Sequence, residues 1–303
     1  MSPPDPVAAI NKIMTTTDEL RELLGPVGIW MPPPAAIGLD PGEFARTVED
    51  AGFSSVWIPG VNAAENLAAL EPLLAATSRL VVATGIASVW TWSPAELAAA
   101  ADRLTADYPD RFVLGLGVSH APLVEATGQA YVRPLTKMRQ FLDELPAIES
   151  TTVLAALGPK MLQLARDRTH GAHPYFTPPE HTVFARSVLG TDRLLVPELA
   201  VALAPGADGA AAARAYAKFY LKLPNYTSNL RTLGFGDEDF ADGGSDRLMS
   251  AVVPHGPDAV SDRLREHLDA GADHVVLQPV GADGRFAADS IGELASIAAG
   301  LPQ

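Results

Sequence analysis

The chain contains no cysteine. That absence removes disulfide frameworks, thiolate zinc sites and cysteine nucleophiles together, so the fold has to hold by packing. Basic charge is also scarce: 22 Lys+Arg stand against 36 Asp+Glu, a formal net charge of −14 with a pI near 4.8. Such a surface repels phosphate backbones and anionic lipid, which speaks against nucleic acid and membranes as partners. An anionic small molecule would need a local site built from a helix N-terminus and a few cations. No apolar run approaches the roughly 18 residues that mark a membrane span. The Pro-rich start, Met1 to Thr17, has neither a basic nor an apolar leader region, so a cytoplasmic location is expected. What the chain has in plenty is apolar material: 303 residues at 48% hydrophobic and mean hydropathy +0.12 suffice for a large core. Gly 25 and Pro 26 fall singly at recurring boundaries and punctuate many short elements.

Short β-rich runs alternate with Ala/Leu-rich runs along the whole chain. Candidate strands are Val27–Met31, Ser55–Ile58, Leu80–Val89, Phe112–Val118, Thr152–Leu157, Ala172–Phe176, Leu194–Leu203 and His274–Val280. Most are continuously apolar, as strands buried on both faces of a parallel sheet read. Asp40-Pro41-Gly42-Glu43, Ser93-Pro94-Ala95-Glu96 and Thr177-Pro178-Pro179-Glu180 each offer a capping side chain, a proline near the first helical position and a glutamate three residues on. Gly52 and Gly271 stand where helix ends favour positive φ. Eight strands alternating with helices predict an α/β fold of (β/α)₈ TIM-barrel type, with an open doubly wound sheet as the rival. The expected organisation is an N-terminal extension, 1–24, and one barrel domain, 25–303. An insertion of about 204–257, between the seventh and eighth strands, holds an Ala-rich helix, an irregular polar stretch Leu223–Ser245 and the approach to a last helix. A long excursion of this kind is either a functional lid or a solvated loop.

A barrel carries its site at the C-terminal ends of its strands. Those ends here are aromatic and poor in acids: Trp30, Trp90 and Trp92 fall on them, which suits a flat apolar ligand unless they plug the barrel mouth. Pro59-Gly60-Val61-Asn62 ends the second strand and Val118-Ser119-His120 the fourth. His120 and His173 are candidate polar contacts or proton donors, whereas His170 and His181 read as structural. The spacing of His170, His173 and His181 matches no zinc motif, so no metal site is expected. Gly115-Leu116-Gly117 lacks the third glycine of a dinucleotide fingerprint, though its glycines would let a flat ligand approach the backbone. At Leu157-Gly158-Pro159-Lys160 a strand runs into a helix start, where free N–H groups and Lys160 would make a local anion site.

At these motifs the chain resembles the luciferase-like monooxygenase superfamily, and within it the actinobacterial oxidoreductases that use coenzyme F420. The resemblance runs from Gly25 to Leu301 and is carried by Arg111–His120, by Leu154–Met161, and by His173-Pro174-Tyr175 followed by Pro179-Glu180-His181-Thr182. It implies a barrel binding a flavin or deazaflavin over the strand ends, with Gly60, Ala87, Ser88, Gly115, Gly117 and Val118 around the ring. Gly158, Pro159, Lys160 and Thr177 would meet the tail phosphate. It implies a non-proline cis peptide at Ala87-Ser88, within a bulge that supports the ring. Trp30, Trp90, Trp92 and His173 would line the substrate pocket, and His120 or Tyr175 would supply a proton. The expected activity is hydride transfer between coenzyme F420 and an apolar organic substrate. An FMN-dependent monooxygenase using O₂ and a non-catalytic cofactor-binding barrel are the alternatives, and a homodimer is the expected assembly. Where the related deazaflavin-dependent sugar-phosphate dehydrogenases carry a second lysine this chain has Pro178-Pro179, and it has no histidine after the second strand and no glutamate after the fourth. Sugar phosphates are therefore poor candidates as substrate.

Overall fold

The computed structural model describes residues 16–60 and 67–301. Ten strands form one parallel sheet: β1 (Val27–Trp30), β2 (Ser55–Ile58), β3 (Val81–Thr84), β4 (Ala87–Ser88), β5 (Phe112–Gly117), β6 (Thr151–Leu154), β7 (Gly171–Ala172), β8 (Leu194–Leu195), β9 (Glu198–Val201) and β10 (Val275–Pro279). Their order is β8-β7-β6-β5-β3-β2-β1-β10-β9, with β4 joined to β5. The two ends of that order are consecutive in the chain. β8 pairs with β7, the run continues through Val196-Pro197, and β9 pairs with β10. The joint is itself bonded on both sides, Glu198 N–H to Pro174 O at 2.9 Å and Val276 N–H to Pro197 O at 3.0 Å. One bent stave thus closes the sheet, and the ten strands make the eight staves of a barrel. The open sheet is excluded.

Both faces of the staves are buried, which is why the strands read as unbroken apolar runs. One face, with Trp57, Val81, Ala83, Val113, Val153 and Val276, fills the barrel, while the alternate residues Val56, Val82, Leu114 and Leu154 belong to the core shared with the outer helices. Helix Thr17–Leu24 sends Leu20 and Leu24 into the interior cluster, so part of the expected extension is a packed element of the barrel. Its Arg21 Nε reaches Asp273 at 2.7 Å, and Arg186 bonds the same carboxylate at 2.6 Å. Residues 1–15 of that extension lie outside the described residues.

Two of the three expected caps form. Asp40 Oδ1 accepts from Glu43 N–H at 2.7 Å and Ser93 Oγ from Glu96 N–H at 3.3 Å, with Pro41 and Pro94 opening their helices. The third does not: helix Pro179–Leu189 takes Pro178 as its cap residue, one position late for Thr177, whose hydroxyl is left buried and unpartnered. Gly52 and Gly271 do adopt positive φ, 92° and 97°.

The stretch expected to be irregular is instead helical. Between β9 and β10 the chain forms helices Gly206–Tyr220, Pro224–Thr232, Asp237–Phe240, Asp246–Val252 and Pro257–Asp269. Its polar residues are spent on caps and local bonds. Asp239, nearly fully buried, accepts from Gly236 N–H at 2.9 Å and Ser245 Oγ at 2.6 Å and pairs with Arg247, which together hold its carboxyl well below the usual range. The insertion buries Tyr216, Leu230, Leu248 and Val252 against Phe176, Ala200 and Val280, forming a second core over the C-terminal ends of the staves.

Candidate active site

Under that second core lies a cavity of about 790 Å³, lined by stave ends β1, β2, β3, β5, β6 and β7 and by the insertion. Its size suits an organic ligand rather than an ion. No carboxylate stands among its described lining residues, and among the described residues no cluster of three His, Asp or Glu side chains is placed to hold a metal.

One wall is an irregular stave. Ala83 pairs with Val113 but Ala87 pairs with Leu116, so four steps along β3–β4 face three along β5. The extra residue makes a β-bulge. The non-proline cis peptide falls here, at Gly85-Ile86, not at Ala87-Ser88. The reason for the offset is pairing: Ala87 and Ser88 are regular strand residues in register with Leu116 and Gly117, whereas Gly85 and Ile86 do not pair with β5, Gly85 keeping one bond to Ile58 O of β2 at 2.8 Å. Gly85, Ile86 and Ser88 line the cavity, while Ala87 is fully buried in the layer between sheet and helices.

Gly115 and Gly117 do not line it. A Cβ on Gly115 would sit 1.9 Å from Thr84 O, and one on Gly117 would sit 2.6 Å from the Ile86 side chain. The glycines admit the neighbouring bulge, not a ligand. Thr84 Oγ1 fixes that approach by donating to Gly115 O and accepting from Gly115 N–H, both at 2.8 Å.

Of the other expected residues, Trp30, Gly60, Trp90, Val118, His120, Gly158, Pro159, Lys160, His173 and Tyr175 come together around the cavity. Val61 and Asn62 lie outside the described residues. Trp92 is buried in the layer between sheet and helices, and Thr177 is buried behind the wall. Trp90 is fixed at the rim: its indole N–H donates to Val118 O at 2.8 Å, and Lys137 Nζ lies 5.5 Å from its ring centroid. Gly158, Pro159 and Lys160 are exposed where the cavity meets solvent, at the start of helix Pro159–Arg168, and Lys160 has no hydrogen-bond or ion-pair partner among the described residues.

The polar groups differ in what they can do with a proton. His120 is held under the insertion, its Nε2 at 3.4 Å from Tyr226 Oη, and burial lowers its pKa against the opposing bond to Asn225. Neutral near pH 7, it is suited to receive a proton at its unpartnered Nδ1. Tyr175 is the converse. Its hydroxyl lies 2.7 Å from Gln278 Oε1 and 2.8 Å from both Tyr216 and Tyr220 hydroxyls, and burial raises its pKa well above 10. Behind this network Glu198 accepts from Phe176 N–H at 3.1 Å and Tyr216 Oη at 3.3 Å, and burial pushes its carboxyl up to about 8. Deeper still, His173 stacks on Trp57 with centroids 4.6 Å apart and donates Nδ1–H to Val196 O at 2.7 Å. Burial pushes it down to about 4, so the ring is neutral and its Nε2 is a bare acceptor.

Sequence reasoning assigned no role to Phe219, Tyr220 and Tyr226 of the insertion, Tyr131 of the rim, or Ile86 of the bulge, all of which line the cavity. The available signal was tyrosine: Tyr216 and Tyr220 stand four apart on one face of an otherwise alanine-rich helix, and four of the six tyrosines line the site.

Residues 40–152, from the helix before β2 to the start of β6, match the family model described as luciferase-like monooxygenase. Over that stretch the barrel is similar to luciferase-like proteins. Solved structures agree over nearly its whole length. An F420-dependent secondary alcohol dehydrogenase, solved with an F420-acetone adduct, superposes with TM-score 0.63 at 16% identity, covering 90% of this chain and 97% of that one. A coenzyme F420-dependent tetrahydromethanopterin reductase from Methanopyrus kandleri gives 0.69 at 17%, covering 89% and 97%. The oxygenating constituent of 3,6-diketocamphane monooxygenase from Pseudomonas putida, solved with FMN, gives 0.56 at 12%, covering 84% and 92%. No curated protein matches. At these identities the likeness is one of fold, and the cavity has to be read from its own residues.

Proposed function

We propose that the protein is a coenzyme F420-dependent oxidoreductase transferring hydride between the deazaflavin and an apolar organic substrate. The observation that carries this reading is the pairing of an aromatic slot beside a bulge, with no carboxylate among its described lining residues, with a lysine that has no partner among the described residues at a helix start where the slot opens. The residues fit such a cofactor. Gly85, Ile86 and Ser88 offer a backbone wall for a flat ring, and Gly158 and Lys160, on either side of Pro159, offer backbone N–H groups and one cation for an anionic tail. When bound, the deazaflavin supplies the hydride chemistry itself, and the protein supplies position and proton control. Trp30, Trp90, Tyr220 and Tyr226 exclude water, His120 receives a proton, and Tyr175 holds one.

Titration of the purified protein with the deazaflavin and with FMN tests the reading, and failure to bind the former below the high-micromolar range would sink it. Lys160→Ala is expected to weaken deazaflavin binding by about 1–3 kcal/mol, for loss of a charged hydrogen bond. Unchanged affinity would return Lys160 to the surface. The family description and the FMN-bound structural neighbour favour a second reading, a monooxygenase using reduced FMN and O₂. Turnover that requires oxygen would establish it. A described lining without carboxylates also suits a barrel that binds without reacting, which hydride exchange into the deazaflavin from any enone or alcohol eliminates.

A further inference from the structure

Two polar atoms at the base of the cavity have no partner among the described residues. Trp30 Nε1 and His173 Nε2 are both buried and unbonded, on side chains 6% and 1% exposed. Buried polar atoms are satisfied in all but a few cases, and each exception calls for an explanation. These two converge. The point where a Cβ on Gly85 would stand lies 3.3 Å from Trp30 Nε1 and 3.3 Å from His173 Nε2. Gly85, Trp30 and His173 all line the cavity, so both atoms face the same small space.

Their chemistry is opposite and fixed. An indole nitrogen only donates. The His173 ring has committed Nδ1–H to Val196 O, which leaves Nε2 as an acceptor. A group satisfying both must therefore accept one hydrogen bond and donate another. A carbonyl oxygen or carboxylate answers only the indole and turns its lone pairs on the imidazole's lone pair; an ammonium answers only the imidazole. A hydroxyl answers both with one atom.

We propose that Trp30 and His173 form a hydroxyl-recognition site beside the bulge, selecting an alcohol or enol group on the bound organic molecule. Trp30 Nε1–H donates to the hydroxyl oxygen, and the hydroxyl hydrogen is given to His173 Nε2. The inference rests on reading the cavity as an organic-substrate site, and it adds the functional group that this substrate carries.

The test compares cyclohexanol with cyclohexanone, which have the same ring and differ in the missing donor. Binding is followed by the indole N–H resonance of Trp30 in ¹⁵N-labelled wild-type protein, assigned from the signal absent in Trp30→Phe. Cyclohexanol is expected to shift that resonance and to bind roughly fivefold to a hundredfold more tightly than the ketone, the usual consequence of leaving one buried acceptor unsatisfied. His173→Phe keeps a ring against Trp57 and is expected to erase the preference, by weakening the alcohol and relieving the lone-pair repulsion on the ketone; a preference that survives the substitution would overturn the proposal. Equal affinities in the wild type, or an unmoved indole signal, would mean that water keeps the pair and would overturn the proposal. Adding the deazaflavin separates the two readings. If it fails to bind while the alcohol preference persists, the cofactor assignment falls and the hydroxyl site stands. If it binds, shifts the Trp30 indole and blocks cyclohexanol, a ring edge of the cofactor fills the site and the hydroxyl proposal falls.

Discussion

Single buried groups should govern how this protein responds to pH. Burial pushes His173 and His274 down to about 4 and His267 to about 3, from an ordinary 6.5. Between those values and 6.5 the unfolded chain binds the protons that the native state refuses, so stability rises with pH through that window, by a few kcal/mol per imidazole. Glu198 works the other way. Its carboxyl, raised to about 8 from 4.5 mainly by burial, is protonated in the native state where the unfolded chain has lost its proton. Its contribution is complete below pH 4.5 and is lost as pH rises toward 8. Three imidazoles outweigh one carboxyl up to about 6.5, and above that point only the carboxyl still acts, so urea midpoints measured across pH 4–9 are expected to peak near 6.5. Glu198→Gln keeps the shape and removes the titration. It is expected to flatten the decline between 6.5 and 8, and a decline of unchanged slope would show that Glu198 is not its source.

At the scale of elements, the bulge is the most demanding piece of backbone. Gly115→Ala would drive a methyl into Thr84 O and break both Thr84 Oγ1 bonds, a cost of about 3 kcal/mol or more. Gly158→Ala meets nothing within 4 Å at a φ of −85° and should leave the urea midpoint within about 0.5 kcal/mol of wild type. Equal effects from the two would refute this account of Gly115. The pair also marks what the sequence could and could not announce. Strand existence was readable because burial on both faces writes itself as an apolar run, and Asp40 and Ser93 announced helix starts because capping is local. The position of the cis bond was not readable, since it depends on where Ala87 and Ser88 fall into register with β5. The purpose of Gly115 was hidden for the same reason: it makes room for a neighbour 31 residues earlier in the chain. The stretch Leu223–Ser245 of the insertion was misread as irregular because its polar residues, such as Asp239 and Ser245, are spent on short-range bonds that composition cannot distinguish from solvation.

For the molecule as a whole, the sequence conveyed the barrel and the stave ends, and it gathered Trp30, Trp90, His120, Gly158, Lys160, His173 and Tyr175 into one neighbourhood. It did not convey which lids cover that neighbourhood. Tyr220 and Tyr226 reach the cavity only because the chain leaves β9 and returns across the stave ends before β10, a path that no local pattern records.

The exposed Lys160 at the cavity mouth, set in a protein of net charge −14, has a consequence for the speed of arrival. An anionic ligand approaching from solution first meets repulsion from the whole surface and meets Lys160 only at close range. Screening lengths shrink from about 30 Å at 0.01 M salt to about 10 Å at 0.1 M, so added salt lifts the distant repulsion before it weakens the final contact. Stopped-flow association of the deazaflavin is therefore expected to accelerate as salt is raised over that range, the reverse of an electrostatically steered encounter. A rate that falls with salt would place a wider basic funnel at the entrance than Lys160 alone provides.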